Sequence, residues 1–287
     1  MNTTAAQTRA MFIGTCRMHD PVNALQNTEG LMARSTPHRF HTPAQTLQFV
    51  RHMAGAPQYR PDTIHLVSDH ASTELFVNGT SREQLCRRLE SLATLWDTFR
   101  VFVIEICALR EFVATVGRKQ MTVNTFAKRE QERYADQITA EAEAGISLPL
   151  LPIEMERLSE KETHRLMKQI KSTLKNRPII WVSHQRPPDL PQYEVANNVR
   201  RALAEIVQSG ANQLGDRFFD PTEVAREMGA EAFFQKDGTD IDHMTPEAAK
   251  VMAARYHKMI NEAHTEARRQ AAQAKKKPGL GALLKGK

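Results

Sequence analysis

Three side chains able to do nucleophilic chemistry together stand far apart in the chain. They are Cys16, within Gly14-Thr15-Cys16-Arg17, and Asp240 with His243, within the acid-rich stretch Asp237-Gly-Thr-Asp-Ile-Asp-His-Met-Thr-Pro246. A thiol becomes a nucleophile when an imidazole within hydrogen-bond reach takes its proton, and the imidazole needs a third group to fix its tautomer. The spacing Asp240-x-x-His243 offers that pair, with His243 as base, Asp240 as its orienting carboxylate and Cys16 as nucleophile. Asp242, between them, is not required and is expected to point elsewhere. Cys86 falls within a helical pattern and Cys107 just past an apolar run, and both read as core thiols. Three scattered cysteines make neither a disulfide framework nor a four-cysteine zinc site.

These residues need elements to position them. Short apolar runs alternate with helical patterns, which points to an α/β protein with a parallel sheet flanked by helices. Expected strands are Met11–Gly14, Thr63–Val67, Val101–Ile106, Ile179–Val182 and Arg217–Phe219, five in all and enough for a doubly wound sheet. Helices are expected over Ser81–Leu95, over Glu194–Ser209 ending before Gly210, and from Pro246 through about His264. Residues 118–177 read as a helical elaboration. It holds a charged helix over Thr125–Ala144, a proline-containing loop over 147–153, and a helix opened by the capping box Ser159-Glu-Lys-Glu162.

In open α/β sheets, sites form beyond the carboxyl ends of the strands. The polar residues there are Gly14 to Asp20, Ser68 to His70, Cys107 to Arg110, and Ser183 to Arg186. Arg17, Arg110 and Arg186 have the chemistry to clamp a phosphate or carboxylate. His19, Asp20, His70, His184, Asp240 and His243 form an alternative constellation, a metal site for phosphoester hydrolysis, but no His-x-His or His-Glu-x-x-His spacing supports it and no metal is assigned. No Gly-x-x-x-x-Gly-Lys or Gly-x-Gly-x-x-Gly loop is present for a nucleotide.

The Gly14-Thr15-Cys16 turn closing the first strand, taken with Asp240-x-x-His243 before the last helix, resembles the SGNH/GDSL hydrolase superfamily. There a Gly-Asp-Ser turn presents the nucleophile and a late Asp-x-x-His completes the triad. With cysteine in place of serine, the chain is closer to the cysteine-bearing GSCFA-like and capsular-polysaccharide acetyltransferase-like branches. The resemblance spans roughly residues 9 to 262. It implies a three-layer α/β/α fold of flavodoxin-like type with a five-stranded parallel sheet. It also implies acyl transfer or acyl-ester hydrolysis through a thioester on Cys16, a carbohydrate substrate, and no bound cofactor, with coenzyme A a candidate acyl donor. The superfamily's asparagine block after the third strand is missing, and Glu105-Ile-Cys-Ala-Leu-Arg-Glu111 stands in its place. Oxyanion and substrate contacts are therefore sought at Gly14, Arg17, Ser183 and His184. The missing asparagine also keeps open a noncatalytic descendant that binds glycan or protein in the same cleft.

The chain has 287 residues and a net charge of +6. Seven cations and no acid lie from Arg268 to Lys287, so the remainder of the chain nets minus one. The expected organisation is one domain over 1–265 and a basic tail over 266–287, suited to solvation or to contact with anionic lipid or nucleic acid. No apolar run is long enough for a transmembrane helix, and MNTTAAQTRAMFIGTC lacks the pattern of a secretory signal. A cytoplasmic location is expected.

Overall fold

The computed structural model describes residues 7–26, 28–37, 39–67, 79–145, 148–187 and 189–276. Its centre is a five-stranded parallel sheet built from β1 (Thr8–Ile13), β2 (Leu31–Ser35), β3 (Val101–Ile106), β7 (Ile179–Ser183) and β8 (Arg217–Phe219). The strand order is β2-β1-β3-β7-β8, and all four pairings are parallel. The order runs in opposite senses on either side of β1 and β3. Their carboxyl ends therefore flank a crevice, where doubly wound sheets take ligands.

Strand periodicity produces the layers. Along β1, Met11 and Ile13 enter one core while Ala10 and Phe12 enter the other; along β3, Phe102, Ile104 and Ile106 oppose Val101 and Val103; along β7, Ile179 and Trp181 oppose Ile180 and Val182. Each central strand is buried on both faces, as a continuous apolar run requires. The first core is completed by α2 (Pro43–Met53), α4 (Gly79–Leu95), α7 (Glu160–Thr173) and α8 (Glu194–Leu214). The second is completed by α1 (Cys16–Leu25), α9 (Thr222–Met228), α10 (Ala230–Phe233) and α11 (Pro246–Lys276). The fold is the expected three-layer α/β/α arrangement.

Five features differ from the sequence expectation. Thr63–Val67 is not a strand: Ile64–Val67 form one helical turn, α3, with all four side chains buried. A short apolar run has no period of its own to tell a buried turn from a buried strand. Its place in the sheet is taken by β2, whose LMARS sequence carries little apolar signal because it lies at the sheet edge.

The elaboration is also not purely helical. It is built on an antiparallel sheet of order β5-β4-β6, from β4 (Arg110–Val116), β5 (Lys119–Val123) and β6 (Ile153–Arg157). The β4–β5 turn uses Gly117 at φ 62°, a left-handed conformation suited to a two-residue hairpin. The expected long helix is broken at Tyr134 into α5 (Ala127–Arg133) and α6 (Ala135–Glu143).

The last two differences are helix ends. α8 runs through Gly210 to Leu214 and stops at Gly215, which is left-handed. Gly210 is a packing residue: a Cβ there would lie 2.7 Å from Met167 Sδ, so its absence lets α8 approach α7. α11 continues beyond His264 to Lys276, so Arg268, Arg269, Lys275 and Lys276 are helical. The capping box at Ser159 and Glu162 forms as expected.

Candidate active site

The turn between β1 and α1 is fixed by an acid from the neighbouring strand. Glu105, fully buried on β3, accepts from the Thr15 amide at 2.9 Å and the Thr15 hydroxyl at 2.6 Å through Oε2, and from Arg17 Nε at 2.8 Å through Oε1. Thr15 is the N-cap of α1, yet its hydroxyl makes no cap bond, being committed to Glu105. Burial opposes ionisation of Glu105, but Arg17 and Thr15 outweigh it and hold its pKa below the usual carboxylate value. Gly14 is required by this closeness: a Cβ would stand 2.6 Å from Met18 Cγ and 2.7 Å from Glu105 Cβ.

Cys16 is thereby presented as the first residue of α1, half-buried at the crevice. Burial raises its pKa; Arg17, Arg39 and the Arg17 backbone amide act in the other direction, and Glu105 adds to the rise. The thiol is the resting form, and the Arg17 N–H faces the sulfur. At a helix N-terminus the first amides have no intrahelical acceptor, which leaves them available to an oxyanion.

Asp240 and His243 lie on a strand rather than in a loop. β10 (Asp240–Met244) pairs antiparallel with β9 (Phe234–Gln235) and packs against α1, the helix that carries Cys16. Asp240 Oδ1 is 3.0 Å from His243 Nδ1, so the carboxylate accepts the Nδ1 proton. The hydrogen bond from His243, helped by Lys236, holds the Asp240 pKa below its usual value. Asp242 turns to another partner, with Oδ1 2.7 Å from Arg200 Nη2 and 3.9 Å from His184 Nε2. Arg200 also donates to the carbonyls of Gln185 and Ile241, tying β10 to α8.

His184 follows β7 and is buried, with Nδ1 2.8 Å from the Gln185 carbonyl oxygen. A carbonyl can only accept, so Nδ1 carries the proton. Burial, then Arg17 and Arg200, holds His184 neutral far below the ordinary imidazole pKa. Nε2 in this tautomer can accept from a hydroxyl but cannot donate to an oxyanion. Ser183 is fully buried and its hydroxyl lies 3.4 Å from Asp220, which also pairs with Arg186 at 2.8 Å. Arg186 is thus committed to a structural ion pair.

Glu105, His41 and Arg200 were not singled out for the site by the sequence reading. Glu105 had a readable signal, an acid within the apolar run Val-Phe-Val-Ile-Glu-Ile. His41 bridges the layers, its carbonyl accepting from the amides of Cys107 and Ala108 at 2.9 Å each. Its imidazole is lowered to about 4 by burial and by the Arg17 and Arg39 charges, against Glu105. Burial drives the Cys107 thiol far up, with Glu105 adding to it, so the thiol stays protonated at neutral pH. Cys86 packs on the first core. Of the alternative metal constellation, His70 lies outside the described residues, His19 is turned to Ser35, and no cluster of three His, Cys, Asp or Glu has metal-holding geometry among the described residues.

The family model for the TviD N-terminal domain matches residues 8–259, nearly the whole described fold. The chain belongs to the TviD N-terminal domain family. No curated protein matches the chain in sequence. Among solved structures it is similar to a GDSL-like lipase from Bacteroides thetaiotaomicron, 13% identical over 91% of this chain and 89% of that one, with a TM-score of 0.40. A variant of Axe2, an acetylxylan esterase from Geobacillus stearothermophilus, is 11% identical over 91% and 96%, at 0.42. The salicylyl-acyltransferase SsfX3 from a tetracycline biosynthetic pathway is 12% identical over 90% of this chain and 55% of that one, at 0.45. The assignment of this TviD N-terminal domain to a doubly wound α/β/α fold rests on its own strand order.

Proposed function

We propose that this protein is an SGNH-like acyltransferase or acyl-ester hydrolase working through a Cys16–His243–Asp240 triad. The observation that carries this is the Asp240–His243 hydrogen bond, made through Nδ1 on a strand packed against the helix that begins with Cys16. His243 Nε2 takes the Cys16 proton, and the thiolate attacks the acyl carbonyl carbon. The amides of Cys16 and Arg17 receive the charge that develops on oxygen. The tetrahedral adduct collapses with the His243 proton passing to the leaving group, which leaves a thioester on Cys16. An acceptor hydroxyl, or water, then gives its proton to His243 Nε2 and attacks the thioester, and the Cys16 thiolate leaves and regains a proton from His243. The acceptor is taken to be a carbohydrate, on the sequence resemblance.

Variants measured on an acetyl ester test the roles. His243→Ala is expected to lose roughly three orders of magnitude in rate, as removal of a triad member does. Asp240→Asn is expected to lose rate as well, because the amide can hold the wrong tautomer. Undiminished turnover in His243→Ala would remove the base from the mechanism. The missing asparagine favours the noncatalytic reading, and it would be supported by tight ligand binding with no turnover and no acyl-enzyme.

A further inference from the structure

The wall between the crevice and α8 holds a cavity of about 510 Å³, lined by Cys107, Leu109, Arg110, Arg157, His184, Val199, Arg200 and Leu203 among others. Two of its arginines are direct cross-strand neighbours: the β4–β6 register sets Arg110 opposite Arg157. Like charges so placed repel one another, and neither guanidinium has an ion pair or side-chain hydrogen bond among the described residues. The next register pair, Glu111 opposite Glu156, lies on the other face of the small sheet, where Glu111 accepts from the Thr42 hydroxyl. The two signs are thus sorted by face, and the cationic pair faces the cavity. Apart from the pair, His184 and Arg200, the lining is mostly apolar, with Leu109, Val199 and Leu203. Val199 on α8 is 60% exposed.

Resting on the acyl-transfer reading, we propose that this cavity binds the donor. The diphosphate of an acyl thioester such as acyl-coenzyme A lies across Arg110 and Arg157, and its alkyl-amide arm runs along Leu109, Val199 and Leu203 toward the crevice. Two guanidiniums on adjacent strands match two linked phosphates, since each can make charge-assisted, bidentate contacts to phosphate oxygens. Arg200 stays on Asp242, which connects the cavity wall to the strand carrying Asp240 and His243.

The test is calorimetric titration of coenzyme A and, separately, inorganic pyrophosphate and galacturonic acid into the full chain. Coenzyme A and pyrophosphate are expected to bind and galacturonic acid not to. Arg110→Ala and Arg157→Ala are each expected to weaken coenzyme A by roughly tenfold or more, with unchanged circular dichroism and thermal midpoint because both side chains are exposed. Cys16→Ala is expected to leave this binding intact. Coenzyme A binding unaffected by both arginine substitutions, no coenzyme A binding at all, or binding of galacturonic acid that these substitutions abolish would each overturn the donor site. The acyl-transfer reading fails separately, if no Cys16-dependent acylation occurs while coenzyme A still binds.

Discussion

Glu105 is the side chain on which the candidate nucleophile's position depends, because it holds the amide and hydroxyl of Thr15 and the guanidinium of Arg17 together. Replacing it by Ala leaves Arg17 buried without a partner, a change that costs about 3–5 kcal/mol in comparable buried pairs. Urea unfolding is expected to show that loss, and a stability within error of wild type would contradict it. A depressed carboxyl pKa stabilises the fold above the unfolded value of about 4.3 and ceases to do so as pH falls through the folded value. The stability gap between wild type and Glu105→Gln is therefore expected to be full at pH 7 and to shrink only below about pH 4. At this scale the pairing of Asp240 with His243 was legible, because an Asp-x-x-His spacing can bring carboxylate and imidazole together by itself. Arg200 and His41 were not, since an arginine in a helix and a histidine in a loop acquire their roles only from the layers that close around them.

The strands meet at Gly14, where the end of β1 passes so close to β3 that a methyl group has no room. Gly14→Ala is expected to destabilise by roughly 1–3 kcal/mol through overpacking and to depress turnover on a small ester more than tenfold by displacing the Cys16 turn. Gly210→Ala is expected to be milder, because the nearest obstruction is the flexible end of Met167. Equal effects would mean that the β1–β3 approach is not tight. The buried strands β1, β3 and β7 were readable as apolar runs, and the capping box at Ser159 by its local spacing. β2 was missed because an edge strand shows little apolar signal, and the β4–β5–β6 sheet because its strands are half-exposed and its third member is about thirty residues away in sequence. The end of α11 was placed too early because its last turns are charged and solvated, so no apolar stripe marks them.

Across the whole molecule, charge and titration set the response to solvent. His65 and His184 are buried and His41 is half-buried, and desolvation is the largest cause that holds each of them neutral, His41 to about 4 and His65 to about 3. Histidines take protons in the unfolded chain near pH 6.5, so stability is lost from there downward; His41 alone accounts for about 3 kcal/mol by pH 4. The urea midpoint is expected to fall between pH 7.5 and 5, and a constant midpoint would mean these rings are not buried neutral. Truncation after Ala267 removes only exposed turns of α11 and the residues beyond. Activity on a small ester is expected to be kept, while retention on heparin weakens most visibly at low salt. Loss of ester activity would place these last residues in the catalytic body.

The central claim is a covalent acyl-enzyme on Cys16, and intact mass after incubation with acetyl-coenzyme A and with small acetyl esters tests it most directly. The account predicts one added acetyl group on the wild-type protein, retained in denaturant and released by hydroxylamine, and none on Cys16→Ala. Turnover with no adduct at any time, together with full activity in Cys16→Ala, would contradict it.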